Sequence, residues 1–234
     1  MAAKIPSVWA REQRQPDQPA LSRASIVREA ITVLDAEGIE QLSMRKLGSR
    51  LNAGATSLYR HVATKEELLE LAVDEVFGEM TVPDPGPDWR ADVTAAALSF
   101  RATALRHPWL SSVLAQAGLA YLGPNLMAHS NRLAALFAAA GFADPDRGIY
   151  TVLGYVTGMS TTEAAWLTTV ARSGATEAEL VARLLPAARR AAAGYAHLSA
   201  ASGDDETDPA EVRETKFRNG LEVVLNGLAL TLTR

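Results

Sequence analysis

Three prolines at alternate positions in Val82-Pro83-Asp84-Pro85-Gly86-Pro87 constrain this chain more than any other stretch. Proline lacks an amide hydrogen and fixes φ, so no helix runs through this segment, and the connection it makes is stiff and extended. On both sides apolar residues recur at helical spacing, and no run alternates like a half-buried strand. The pattern predicts an all-α chain in two parts. A small N-terminal domain is expected over residues 21–81 and a larger helical domain over 88–234, with residues 1–20 as a flexible arm.

In the small part, Ser22 can cap a helix whose buried stripe is Ile26, Val27, Ala30, Ile31 and Leu34, stopped by Gly38. Ser43 opens a second short helix with Met44, Leu47 and Leu51 inward. Asn52-Ala53-Gly54 forms a turn in which either Asn52 or Gly54 can take a positive φ. A third helix is expected over about Ala55 to His61, with Leu58 and Val62 pointing to the core. Thr64 and Glu67 form a capping box for a fourth helix over residues 65–80.

The larger part continues in the same manner. Trp89 to Arg106 reads as a helix capped by Asp88 and stopped at His107-Pro108, with a short helix after it through Trp109 and Leu114. Pro124 to Ala140 follows, closed by Gly141 and Phe142. Asp144-Pro145 opens a long apolar helix, and Thr176 with Glu179 caps another, which Pro186 should kink or break. Residues 202–207 read as an acidic loop, and Asp208-Pro209 caps the last helix.

Charge is partitioned along the chain. The formal net charge is −4, yet residues 1–65 hold ten Lys and Arg against six Asp and Glu. Within Leu42 to Lys65 stand Arg45, Lys46, Arg50, Arg60 and Lys65 with no acidic residue at all. Such asymmetry points to a nucleic-acid-binding end on an acidic body. Two short helices joined by a tight turn and braced by a preceding helix form a helix-turn-helix, which places its second helix in a major groove. Ala55, Thr56 and Ser57 are small enough for close approach to base edges, and Arg60 and His61 reach bases or phosphates. Arg45, Tyr59 and Lys65 suit phosphate contacts. The alternative is that Tyr59 packs the three-helix core and the cations form a solvated face.

The stretch LSMRKLGSRLNAGATSLYRHVATKEELL resembles the DNA-binding module of the TetR family of transcriptional regulators. The matching residues are Ser43, Arg45, Leu47, Leu58, Tyr59, His61, Val62, Lys65 and Leu68. Gly48 stands where the family pattern often has Ala, and Asn52 where it often has Gly. The resemblance places Arg45, Thr56, Ser57, Tyr59, Arg60, His61 and Lys65 at DNA-contacting positions, and Ala55 lies beside them. Weaker marks, RHPWL at Arg106 to Leu110, Gly154 to Gly158 and Phe217 to Glu222, resemble the helical regulatory domain of the tetracycline-repressor branch. They imply a homodimer through the helices at about 145–171 and 209–232, with Gly154, Gly158, Gly220 and Gly227 allowing close approach. They also imply a palindromic operator with half-sites about 34–36 Å apart, and a small-molecule effector.

Candidates for the effector pocket are the aromatic and soft residues Phe100, Trp109, Tyr121, Met127, Tyr155, Met159 and Trp166, with Asn125, His129, Thr162 and Glu163 as sparse polar groups. Glu163 stands amid apolar helix, so it is expected to be exposed or paired.

Other classes gain nothing from the sequence. There is no cysteine, no metal-ligand spacing, no nucleotide loop and no nucleophile motif, so no metal, cofactor or catalytic residue is expected. No apolar run approaches the length of a membrane helix, and the chain lacks a secretory leader pattern, which suggests the cytoplasm. The reading is a homodimeric repressor released from its operator by an effector. The alternatives are a helical small-molecule-binding protein or enzyme that has kept this fold without DNA binding, and an effector-independent regulator.

Overall fold

A computed structural model describes residues 21–117, 123–198 and 208–232. The expected N-terminal arm, Tyr121 and the acidic loop at 202–207 lie outside them. The described chain is helical with no strand. In order it forms α1 (Arg23–Glu37), α2 (Met44–Arg50), α3 (Ala55–Leu58), α4 (Lys65–Phe77) and α5 (Trp89–Arg106). Then come α6 (Trp109–Ala117), α7 (Pro124–Ala139), α8 (Pro145–Ser173), α9 (Glu177–Ala192) and α10 (Pro209–Ala229).

Local chemistry sets most of these boundaries. Ser22 and Ser25 cap α1 reciprocally, each hydroxyl accepting the other's backbone N–H, and Gly38 stops the helix at φ 83°. Gly141, at φ 87°, closes α7. Phe142 then donates its amide to the Phe137 carbonyl at 3.0 Å and packs edge-on against Phe137 and Trp89. Asp144 and Thr176 cap α8 and α9 through their side chains.

Three expected elements differ. Regular α3 ends at Leu58, and hydrogen-bonded turns carry the chain on to Val62. Helix α4 ends at Phe77, short of Met80. Pro186 neither breaks nor ends α9, which runs through it. This helix buries no residue, so the carbonyl of Ala182, which Pro186 leaves without a donor, meets water.

Helices α1, α2 and α3 surround Leu34, Leu47, Leu58 and Val62, all buried. Helix α4 packs on α1 and on α7, while α8 packs on α5, α7 and α10. A continuous hydrophobic cluster runs from Ile26 to Leu228. Phe77 meets Phe100 edge-on at 6.1 Å across the join, and Val82 of the proline segment is buried in it.

Candidate nucleic-acid interface and effector cleft

The N-terminal helices present one polar face. Leu58 and Val62 anchor α3 and its following turn to the core, which turns the intervening residues outward. Thr56, Arg60 and His61 are exposed, Tyr59 is 51% exposed, and Ala55 and Ser57 are half-buried. Tyr59 therefore does not pack the three-helix core. Arg45 is exposed in the first turn of α2, behind the Ser43 cap. Arg45 and Arg60 have no ion pair among the described residues.

The other three cations are partly committed within the chain. Lys46 pairs with Glu37 and Arg50 with Glu29, so α2 is tied to α1. Lys65 is half-buried and donates to the Ile39 carbonyl at 3.3 Å. Thr64 caps α4 as its spacing requires, but the Glu67 carboxylate accepts from Ala63 N–H at 2.7 Å.

The turn between α2 and α3 is unusually close. Ala53 N–H donates to the Gly48 carbonyl at 2.8 Å, and a Cβ at position 48 would lie 2.6 Å from the Ala53 oxygen. Asn52, at φ 50°, takes the left-handed conformation, and Gly54 stays extended at φ −69°.

Two junctions tie this face to the C-terminal helices. Asp35 of α1 accepts from Trp109 Nε1 at 2.7 Å, and His107 lies between Asp35 and Glu79. Burial alone would raise the Glu79 carboxyl. Hydrogen bonds from Arg106 and His107 outweigh it and hold the group below its ordinary value. At the second junction Asp74 of α4 accepts from the backbone N–H groups of Asn125 and Leu126, and the Asn125 amide donates back to Asp74. His129 Nε2 lies 2.8 Å from the Phe77 carbonyl.

Farther from the DNA face, α8, α9 and α10 enclose a cleft of about 620 Å³. Met159, Thr162, Glu163 and Trp166 line it from α8. Glu163 is buried and bonded to Arg101 of α5 through both oxygens at 2.7 Å. It also accepts from Arg213 Nε at 2.9 Å. Arg213 pairs in turn with Glu177, whose other oxygen takes Trp166 Nε1 at 2.6 Å. Burial would lower the Arg101 and Arg213 guanidinium values, and the carboxylates around them raise both. Among the described residues no cluster of His, Asp and Glu could hold a metal ion. No helix among them is long and apolar enough to cross a membrane.

Two family models match this chain. One, described as bacterial regulatory proteins of the tetR family, matches residues 26–72. The other, described as the tetracyclin repressor-like C-terminal domain, matches residues 82–232. The chain belongs to the TetR family. An HTH-type transcriptional regulator of Saccharopolyspora erythraea is 44% identical over 68% of this chain and 69% of its own length. The HTH-type transcriptional repressor DrrR1 of Streptomyces coeruleorubidus is 32% identical over 96% of this chain and 83% of its own. Among solved structures, ActR of Streptomyces coelicolor in complex with actinorhodin superposes with a TM-score of 0.75 at 29% identity. That match covers 92% of this chain and all of ActR. TetR proteins are DNA-binding transcription factors, not enzymes, and this chain is one of them.

Within this TetR fold the sequence-named pocket residues fall in different places. Met159, Thr162, Glu163 and Trp166 come together in the cleft. Phe100 and Trp109 are core residues, and the Trp109 indole N–H is spent on Asp35. Asn125 and His129 belong to the contact between α4 and α7. Tyr155 donates to the Phe217 carbonyl at 2.7 Å, and Met127 is exposed. The cleft also uses Glu177, Arg213 and Lys216, which sequence reasoning did not name. The lone carboxylate of Glu163 was the one signal that led toward them.

Proposed function

We propose that this TetR-family chain is a homodimeric repressor, working in the cytoplasm, whose residues 21–81 bind a palindromic operator and whose residues 88–234 dimerise and answer to an effector. The observation that carries this reading is the outward face of α3 and the turn after it, where Thr56, Tyr59, Arg60 and His61 are exposed beside the buried Leu58 and Val62. With Arg45 at the start of α2, this is the side-chain set that a helix in the major groove and its neighbouring phosphate clamp require.

Dimerisation through α8 and α10 is supported by what those helices leave uncovered. Side chains added at Gly154, Gly158 or Gly227 would meet open space, Tyr150 and Val223 are exposed apolar residues on the same helices, and exposed Leu230 caps α10. Gly220 serves the interior instead, since a Cβ there would lie 2.3 Å from the Tyr155 hydroxyl. The repressor sense follows DrrR1. We place the effector in the cleft between α8, α9 and α10, and the ActR complex makes actinorhodin the first compound to try.

The test is fluorescence anisotropy with the DNA upstream of the protein's own gene, titrated at several salt concentrations, beside sedimentation of the free protein. A specific complex of two chains per site, weakened by salt, is expected. Salt-independent binding, no binding at all, or a monomer at micromolar concentration would overturn the reading.

A further inference from the structure

We infer that the cleft between α8, α9 and α10 takes a ligand with a flat apolar body and one anionic oxygen group, held with the anion toward α10. The walls supply the body's contacts. Met159, Trp166, Val181, Leu185, Pro186 and Val212 surround a space of about 620 Å³, within the usual range for ligand pockets.

The sign of the ligand's charge follows from which hydrogen-bonding groups are already used. Both Glu163 oxygens accept from Arg101, and one accepts from Arg213 as well. The two Glu177 oxygens accept from Trp166 and Arg213, one each. A cationic ligand would have to share carboxylates that already accept five hydrogen bonds from Arg101, Arg213 and Trp166. Its charge would also stand beside the guanidinium groups that these carboxylates already neutralise, and like charges repel. Donors are in surplus. Arg213 spends Nε and Nη1 on carboxylates, and its Nη2 makes no hydrogen bond among the described residues. Lys216, one helical turn further along α10, also lines the cleft, and its ammonium has no ion pair or hydrogen bond among the described residues. A carboxylate or phenolate oxygen meets Arg213 Nη2 and Lys216 without breaking any existing bond, and its ring system lies along Trp166.

This ligand class rests on the effector reading above only for its regulatory meaning, so the test uses no DNA. Anilinonaphthalene sulfonate and phenylnaphthylamine share one aromatic body and differ in the anionic group. Both are titrated by fluorescence against the full chain and two variants. The sulfonate should bind about ten-fold more tightly than the neutral dye, as one charge-assisted hydrogen bond implies. Lys216→Glu should erase that preference and leave the neutral dye's affinity unchanged. Leu185→Trp, on a helix that buries nothing, should fill the cleft and abolish both. Equal affinities in the native chain, or unchanged sulfonate binding in either variant, would overturn the assignment. So would a Leu185→Trp chain that keeps its dye affinity but sediments as a monomer, since the cleft would then hold a second copy. A protein that binds the dyes as stated yet ignores DNA upholds the site and sinks the repressor.

Discussion

His107 and Asp35 meet at 2.7 Å, Nδ1 to Oδ1, although 72 positions separate them in sequence. The opposite ring nitrogen lies 3.2 Å from both Glu79 oxygens. One imidazole at the corner between α5 and α6 thus bonds both to Asp35 near the end of α1 and to Glu79 in the segment after α4.

Replacing His107 with Ala should loosen that grip. Urea denaturation should report a loss of roughly 1–3 kcal/mol for the buried ring's hydrogen bonds to carboxylates, and amide exchange over residues 23–37 should speed up. Unchanged exchange in α1 would mean the contact is incidental.

Acid should act on the same cluster through Glu79. Its carboxyl sits below the ordinary value of 4.5, so its bonds to Arg106 and His107 contribute stability above that pH. The contribution is lost as pH falls through the lowered, folded-state value. Glu79→Gln should therefore be less stable at neutral pH and show a flatter decline between about pH 5 and 3. Parallel declines in the two proteins would contradict this.

Gly48→Ala restores a residue common in the family and should nevertheless destabilise this protein. The added Cβ would stand 2.6 Å from the Ala53 oxygen, and overpacking against backbone costs roughly 1–3 kcal/mol. Asn52→Gly should gain up to about 1 kcal/mol, because Asn52 holds φ 50° where glycine is unstrained. Thermal melts of both variants decide the point.

On DNA, Arg45→Ala should weaken specific and non-specific complexes alike and reduce the salt slope by about one. Thr56→Ala should change which sequences bind, at about 1–3 kcal/mol for the base pair it reads. If Arg45→Ala left both the affinity and the slope untouched, its phosphate role would be wrong.

Glu163→Gln removes the negative charge between two guanidinium groups. Arg101, 11% exposed at its side chain, keeps only Glu214 as an ionic partner. A loss of about 3 kcal/mol is expected, and its absence would show that water reaches the network.

The helix limits set by local chemistry were readable before the structure: Ser22, Asp144, Thr176 and the Gly141-Phe142 closure all cap through residues within a few positions of one another. The outward face of α3 was readable too, because Leu58 and Val62 fix it. The partners of Glu163 were not. Arg101 and Arg213 lie 62 and 50 positions away on other helices, and no local pattern marks a contact made by packing. Pro186 misled for a related reason, since a proline's effect depends on whether the carbonyl it strands is buried or wet.

Helix α7 begins at Gly123, which offers no capping side chain, and its first free amides are taken by Asp74 of α4 instead. Position 123 cannot cap its own helix while α4 stays in place, because a Cβ there would lie 2.1 Å from the Asp74 oxygen. The start of α7 is therefore on loan from the connecting helix. Were α4 to move away, α7 would lose a cap worth about 1 kcal/mol. By reciprocity, fraying of that turn would weaken the hold on α4 by the same amount, so the two helix ends are coupled by about 1 kcal/mol.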